Sequence, residues 1–318
     1  MPRSTARLRL KLPKPFELRL ALFGHGFVDL APHCWDAERG VLATVLVLGG
    51  TTPADVTLRQ SGDELVVTLG TARPLAAHRR GEARAALARM LRLDDDFAEL
   101  WALCRSEPRL HWVARRGAGR MLRSATLFED LMKLLFTTNC SWSATRGMTA
   151  RLVEALGRPA PSGARAFPTP AACAETGERF WRDVVHAGYR AAFACALSRN
   201  FADGTLDEAH FAGRGLGCDA VRERLLEIRG FGPYAAGQAL RLLGHYPDLA
   251  LDSWCRARLA QLRNRRRPPS DRSVEREYRR FGTWRGLVLW MDLTAAWHGE
   301  HPSTGLTTSP DTRPLASA

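Results

Sequence analysis

Between Leu225 and Arg258 the chain reads as a helix, a tight Gly230-Phe231-Gly232 turn, a second helix and then a lone carboxylate, Asp252, 22 residues past the first glycine. Glycines in such a turn can take φ > 0 and bring bare backbone close to a ligand, and Pro233 stands where a helix begins and no N–H is lost. The turn therefore aims backbone N–H groups outward at a helix N-terminus, a ready site for a phosphate. Asp252 precedes Ser253-Trp254-Cys255-Arg256-Ala257, the start of an amphipathic helix, so its plain role is an N-cap. Helix N–H groups and dipole also favour its ionised form, and a fixed anion suits chemistry in which positive charge develops.

Three further segments follow the same order as a known pattern. Thr126-Leu127-Phe128-Glu129 is followed by Thr137-Thr138-Asn139; then come Gly188-Tyr189-Arg190-Ala191 and Phe281-Gly282-Thr283-Trp284-Arg285-Gly286. With the hairpin and Asp252, these segments resemble the helix-hairpin-helix (HhH-GPD) base-excision DNA glycosylases, the superfamily of 3-methyladenine and 8-oxoguanine glycosylases, over roughly residues 113–300. Such enzymes rotate a damaged nucleotide out of the duplex into a pocket before breaking its N-glycosidic bond.

The resemblance implies a role for each residue. Gly230, Phe231, Gly232 and Tyr234 would grip the DNA backbone, with carbonyls of Leu226, Ile228 and Phe231 holding a monovalent cation and no other cofactor. Asn139 would fill the vacated space in the stack, although an Asn after two Thr is equally a turn former. Tyr189 would wedge beside the partner base and Arg190 reach phosphate, while Asp252 would be the catalytic carboxylate. Trp284, Trp254 and Leu289 would line the base pocket. Family members that also cut the strand carry a lysine where this chain has Tyr234, so a water-dependent, monofunctional glycosylase is implied.

An indole at Trp284 favours a cationic alkylpurine through cation–π attraction of roughly 0.5–2 kcal/mol, although tryptophan is more often core. The 8-oxoguanine reading is weaker: its pattern has a glutamine where Leu289 stands and an arginine where Ala144 stands. An 8-oxoguanine-type glycosylase, and a non-catalytic DNA-binding module of the same fold, are the alternatives.

Composition agrees with this reading. A net charge of +13 implies a polyanionic partner, here double-stranded DNA containing a damaged base. Nearly all the positive charge is arginine, whose fork suits phosphate; the lysines are Lys11, Lys14 and Lys133. Seven cysteines show no CxxC pair, and only Cys255 follows the hairpin, so disulfides, a zinc site and the iron–sulfur cluster of some relatives are not expected. No apolar run approaches a membrane span and the first residues lack a signal-peptide core, which points to a cytoplasmic, nucleoid-associated monomer.

The expected fold class is α+β: an N-terminal antiparallel-sheet domain (1–112), an all-helical HhH-GPD glycosylase core (113–302) and a disordered tail (303–318). Alternation at Phe16, Leu18, Leu20 and Leu22 reads as a strand, as do 41–48, 55–59 and 64–69. Helical spacing follows at Ala83, Leu87, Met90 and Leu91, and again at Phe97, Leu100, Trp101 and Cys104. Thr126 with Glu129 reads as a capping box, and Thr169-Pro170 as a helix start. His25, Asp29, His33 and Asp36 fit no compact metal spacing and read as structural.

Overall fold

The computed structural model describes residues 4–212 and 216–299. The tail expected at 303–318, and the end of the expected 113–302 domain, lie outside them. Five strands, β1 (Ser4–Lys11), β2 (Cys34–Asp36), β3 (Val41–Leu48), β4 (Thr52–Ser61) and β5 (Glu64–Thr71), form one antiparallel sheet in the order β1-β5-β4-β3-β2. The helices begin with α1 (Leu18–Phe23), α2 (Ala77–Leu91), α3 (Ala98–Arg105), α4 (His111–Arg116) and α5 (Leu127–Thr137). Next come α6 (Trp142–Leu156), α7 (Pro170–Ala174), α8 (Glu178–Asp183), α9 (Ala191–Ala202) and α10 (Ala209–Ala212). The last are α11 (Cys218–Glu227), α12 (Pro233–Leu243), α13 (Ser253–Leu262), α14 (Asp271–Tyr278) and α15 (Arg285–Thr294). An antiparallel sheet followed by helices is the α+β order expected. No helix among the described residues is long and apolar enough to cross a membrane.

Contacts divide the chain into two compact units that interleave along the sequence. The first runs up to Asp95 and adds Arg120–Phe136 and Thr145–Asp207; the second takes Asp96–Gly119, Thr137–Ala144 and the described residues from Glu208 onward. The sequence suggests a single cut at 112/113 instead.

In the first unit β4 and β5 bury one face by alternation, while β3 also buries Val45 on the other, against Ala160 and Ala166. Leu65, Val67 and Leu69 of β5 are enclosed, in register with Leu10, Leu8 and Ala6 of β1 and with Gln60, Leu58 and Val56 of β4. Helix α2 turns Ala83, Leu87, Met90 and Leu91 inward and ends at Arg92, which is left-handed (φ 54). Helix α5 is buried almost all round. Its capping box is half-made: the Thr126 hydroxyl accepts the Glu129 N–H at 3.2 Å, but the Glu129 carboxylate takes the Lys133 ammonium at 2.6 Å. Lys133 is wholly enclosed, between the rings of Phe27 and Phe167. Removing either partner would strand a buried charge, at a cost of about 3–5 kcal/mol.

One expected strand is a helix. Residues 18–23 form α1, whose Leu18, Leu20, Ala21, Leu22 and Phe23 are all buried, so the alternation from residue 16 gives way to an unbroken apolar stretch at 20–23. A run this short does not distinguish the two periods. The helix start is fixed by a distant side chain: Gln60 accepts the Leu18 N–H at 2.8 Å and donates to the Phe16 carbonyl at 3.1 Å. The first strand lies earlier, where Leu8 and Leu10 alternate with Arg7, Arg9 and Lys11.

The early histidines and acids serve packing and turns. His25 packs edge-on to Phe27, His33 shares a hydrogen bond with Thr44, and Asp36 accepts the Arg39 N–H. Among the described residues no cluster of three or more His, Cys, Asp or Glu is arranged to hold a metal.

Candidate DNA interface and carboxylate site

In the second unit α11 and α12 form the expected hairpin. Gly230 adopts φ 91, a conformation L side chains rarely take, whereas Gly232 is extended (φ −96, ψ −174) and serves as the N-cap position of α12. Only the first glycine thus needs to be glycine for its backbone. Phe231 is buried and its N–H returns to the Ile228 carbonyl at 2.9 Å, closing the turn and anchoring it to the core. Gly232 and Pro233 stay exposed at the tip, beside the N-terminal amides of α12. Leu226 is exposed and Ile228 buried.

Helix α12 carries the apolar face that seats the hairpin: Ala235, Ala236, Ala239, Leu240 and Leu242 are buried, and Gly244 (φ 96) caps its end. Tyr234, in the first turn, is partly exposed and its hydroxyl bonds the side chain of Thr137. Burial, reinforced by nearby Asp252, raises the Tyr234 phenol and keeps it neutral. Tyr234 therefore ties the hairpin to the loop whose tip is Asn139. That asparagine is exposed and left-handed (φ 42), a conformation Asn adopts more readily than most residues.

Asp252 is the N-cap of α13. Its Oδ1 accepts the Cys255 N–H at 2.7 Å, and the residue is half-buried, so the carboxylate is fixed without being sealed off. Such a cap is worth about 1 kcal/mol. Beneath it Cys255 is held as a thiol by burial and by the neighbouring carboxylate. The segment leading to Asp252 is tightly constrained. The Tyr246 carbonyl accepts from Gly286 N–H (2.7 Å), that of Pro247 from Arg285 Nε (2.5 Å) and that of Leu249 from Arg241 Nη2 (3.2 Å). Ala250 is left-handed at φ 46, a strain of roughly 1–2 kcal/mol for a residue with a Cβ.

Arg241 and Asp248 are the groups whose importance the sequence pattern understates. Arg241 is enclosed on α12, accepted by Gln238 Oε1 at 2.9 Å, with its guanidinium 4.9 Å from the centre of the Trp290 ring. Burial lowers its pKa, partly offset by Cys255, Tyr234 and Asp252. A lone charge inside the run Ala239-Leu240-Arg241-Leu242-Leu243 is the signal that could have found it. Asp248 has a side chain only 8% exposed and pairs with Arg222 of α11. A polar depression of about 210 Å³ lies here, between Arg222, Tyr234, Asp248 and Arg285.

The expected pocket residues separate. Trp284 is half-buried; its indole N–H donates to Glu99 at 2.7 Å, and one face stacks on Tyr246 at 5.1 Å and 18°. Trp254 belongs to a different cluster, 5.9 Å from Trp290 and 5.8 Å from Trp297. Leu289 is 0% exposed inside α15 and offers no surface to a ligand, which corrects its place in the pocket. Asp292 is likewise enclosed, by Tyr278, Arg263 and Arg109.

Tyr189 and Arg190 belong to the first unit. Gly188 is left-handed (φ 59) and Tyr189 is 55% exposed, one of the few large hydrophobic side chains presented to solvent among the described residues. Arg190, expected to reach phosphate, is 6% exposed; its guanidinium lies 4.5 Å from the Tyr189 ring centre and supports that ring from below.

No family model matches the chain, and no curated protein matches it. Solved structures do. A 3-methyladenine DNA glycosylase from Archaeoglobus fulgidus is 20% identical, with a TM-score of 0.72, covering 92% of this chain and 99% of its own. MBOgg1, solved with a low-affinity DNA ligand, is 15% identical at a TM-score of 0.71, covering 94% of this chain and all of its own. The Clostridium acetobutylicum 8-oxoguanine glycosylase/lyase, solved with double-stranded DNA bearing cytosine opposite 8-oxoguanine, is 19% identical at 0.68, covering 90% and 93%. The chain shares the fold of these structures over 90–94% of its length.

Proposed function

We propose that the protein is a monofunctional DNA glycosylase that flips a damaged purine from duplex DNA and hydrolyses its N-glycosidic bond with Asp252. The observation that carries this reading is Asp252 itself: a carboxylate fixed by one backbone N–H, still accessible, in the same compact unit as the 230–232 hairpin. To a module that merely grips phosphate, a fixed anion there offers only its helix cap and repels the ligand. The hairpin tip and the α12 amides suit a phosphate, and the exposed Asn139 and Tyr189 suit the gap and the partner base. The carbonyls of Leu226, Ile228 and Phe231 would hold a monovalent cation. That of Ile228 already takes one internal bond and retains a second lone pair. Such an ion would supply positive charge at the hairpin and so favour a phosphate there.

In this mechanism the C1′–N bond breaks and its electron pair leaves with the base. Asp252 stabilises the oxocarbenium-like sugar, and water forms the new C1′–O bond as its proton passes to the carboxylate. Tyr234, a neutral phenol, cannot form an imine, so the strand stays uncut. A cationic alkylpurine is the favoured substrate class, because it leaves readily and the half-buried indole of Trp284 would attract it. The second reading, 8-oxoguanine, is favoured by the comparable likeness to the 8-oxoguanine glycosylase/lyase.

Asp252→Asn keeps size and capping ability but removes the charge. Single-turnover release of 7-methylguanine should fall about 10²–10⁴-fold while duplex affinity is kept or increased. A rate within a few-fold of the parent would remove Asp252 from the chemistry.

A further inference from the structure

The strained residue beside the site has a keeper. Ala250 is left-handed two residues before Asp252, and its N–H is held by Asp248 Oδ1 at 2.6 Å. The approach is so close that α12 has glycine opposite: a Cβ on Gly237 would lie 2.7 Å from Ala250 Cβ and 3.0 Å from Asp248 Oδ1. The same carboxylate is paired with Arg222 on α11, the first helix of the hairpin. One side chain thus joins the hairpin helix to the turn that sets where α13, and Asp252 at its cap, begins.

We propose that Asp248 is a positioning residue for Asp252. By holding Ala250 in a conformation alanine avoids, it fixes the re-entry of the chain into α13 and so the place of the carboxylate. Through Arg222 that placement is tied to the element that would grip the DNA backbone. The inference rests on the reading of Asp252 as the working carboxylate. A simple turn acid would stabilise the fold without affecting the reaction once the protein is folded.

Four full-length variants separate these roles: Asp248→Ala, Asp248→Asn, Ala250→Gly and the Asp248→Ala/Ala250→Gly pair. Single-turnover release of 7-methylguanine, duplex affinity and amide exchange at Cys255 are measured for each, below its melting temperature. Asp248→Ala should slow base release roughly ten- to a hundredfold with affinity nearly unchanged, since a small misplacement of a catalytic group is costly. It should also speed exchange at the Cys255 N–H that Asp252 caps. Asp248→Asn should fall between, because its amide oxygen still accepts from Ala250 but loses the ion pair with Arg222. Ala250→Gly alone should resemble the parent, and in the pair it should recover most of the rate and protection, because glycine takes the left-handed conformation freely.

A folded Asp248→Ala protein with parental rate and Cys255 protection would overturn the proposal. So would a pair in which glycine restores the melting temperature but neither the rate nor the protection. Asp252→Asn is run alongside: if it stays active, the reading of Asp252 fails, whereas an inactive Asp252→Asn beside a fully active Asp248→Ala sinks the positioning role alone. The exchange measurement decides the geometric part even for a protein that releases no base.

Discussion

Single residues here show how burial sets charge. His33 shares Nδ1 with Thr44, and its Nε2 is enclosed with no hydrogen-bond partner. Burial, with a smaller contribution from Lys133, holds its pKa well below the usual value. The unfolded chain takes up a proton as pH falls below about 6.5, while the folded protein does not. Stability from this residue is therefore fully present above that pH and is lost on acidification, by at most about 1.4 kcal/mol per pH unit. Urea midpoints should drop between pH 7 and pH 5, and His33→Asn should shallow that drop; parallel profiles for the two proteins would show that His33 does not titrate against folding. At the same scale Asp252 was legible, since a carboxylate before a helix is a cap by its chemistry alone. Asp292, inside α15, is sealed by two arginines and a tyrosine, contacts from 14 or more positions away that no local pattern reveals.

Elements were legible where the local pattern and the burial agree. Strands β3 to β5 and helices α2, α3, α11 and α12 follow their periods, and the Thr169 cap of α7 is made as its residue type suggests. Helix α1 was not legible, because its start depends on Gln60 reaching across from β4. The hairpin is the clearest case of a turn dictated by residue type, and it makes a directional prediction. Gly230→Ala forces a side chain onto φ 91 at a cost of about 1 kcal/mol or more, reshaping the loop while leaving both helices. Duplex affinity should weaken severalfold in filter binding or anisotropy with little change in helical content. Unaltered affinity would dissociate the hairpin from DNA contact.

Across the whole molecule, the α+β order was readable from the change of period after residue 71, but the interleaving of two units was not. It arises because Asp96–Gly119 and Thr137–Ala144 pack with the C-terminal helices, a property of long-range contacts. Charge acts at this scale as well. A chain at +13 that contacts phosphate should bind duplex DNA with little sequence preference and with affinity falling steeply as salt rises; an affinity flat between low and physiological salt would contradict the DNA interface. The central claim, hydrolytic removal of a damaged purine without strand cleavage, is tested most directly by incubating the protein with duplexes carrying 3-methyladenine, 7-methylguanine or 8-oxoguanine opposite cytosine. Released base is identified by mass, and the strand is examined before and after borohydride. Free methylated purine, an intact abasic strand and no trapped protein–DNA adduct are expected. Release of no base from any duplex, or a borohydride-trapped adduct with a cut strand, would contradict the claim.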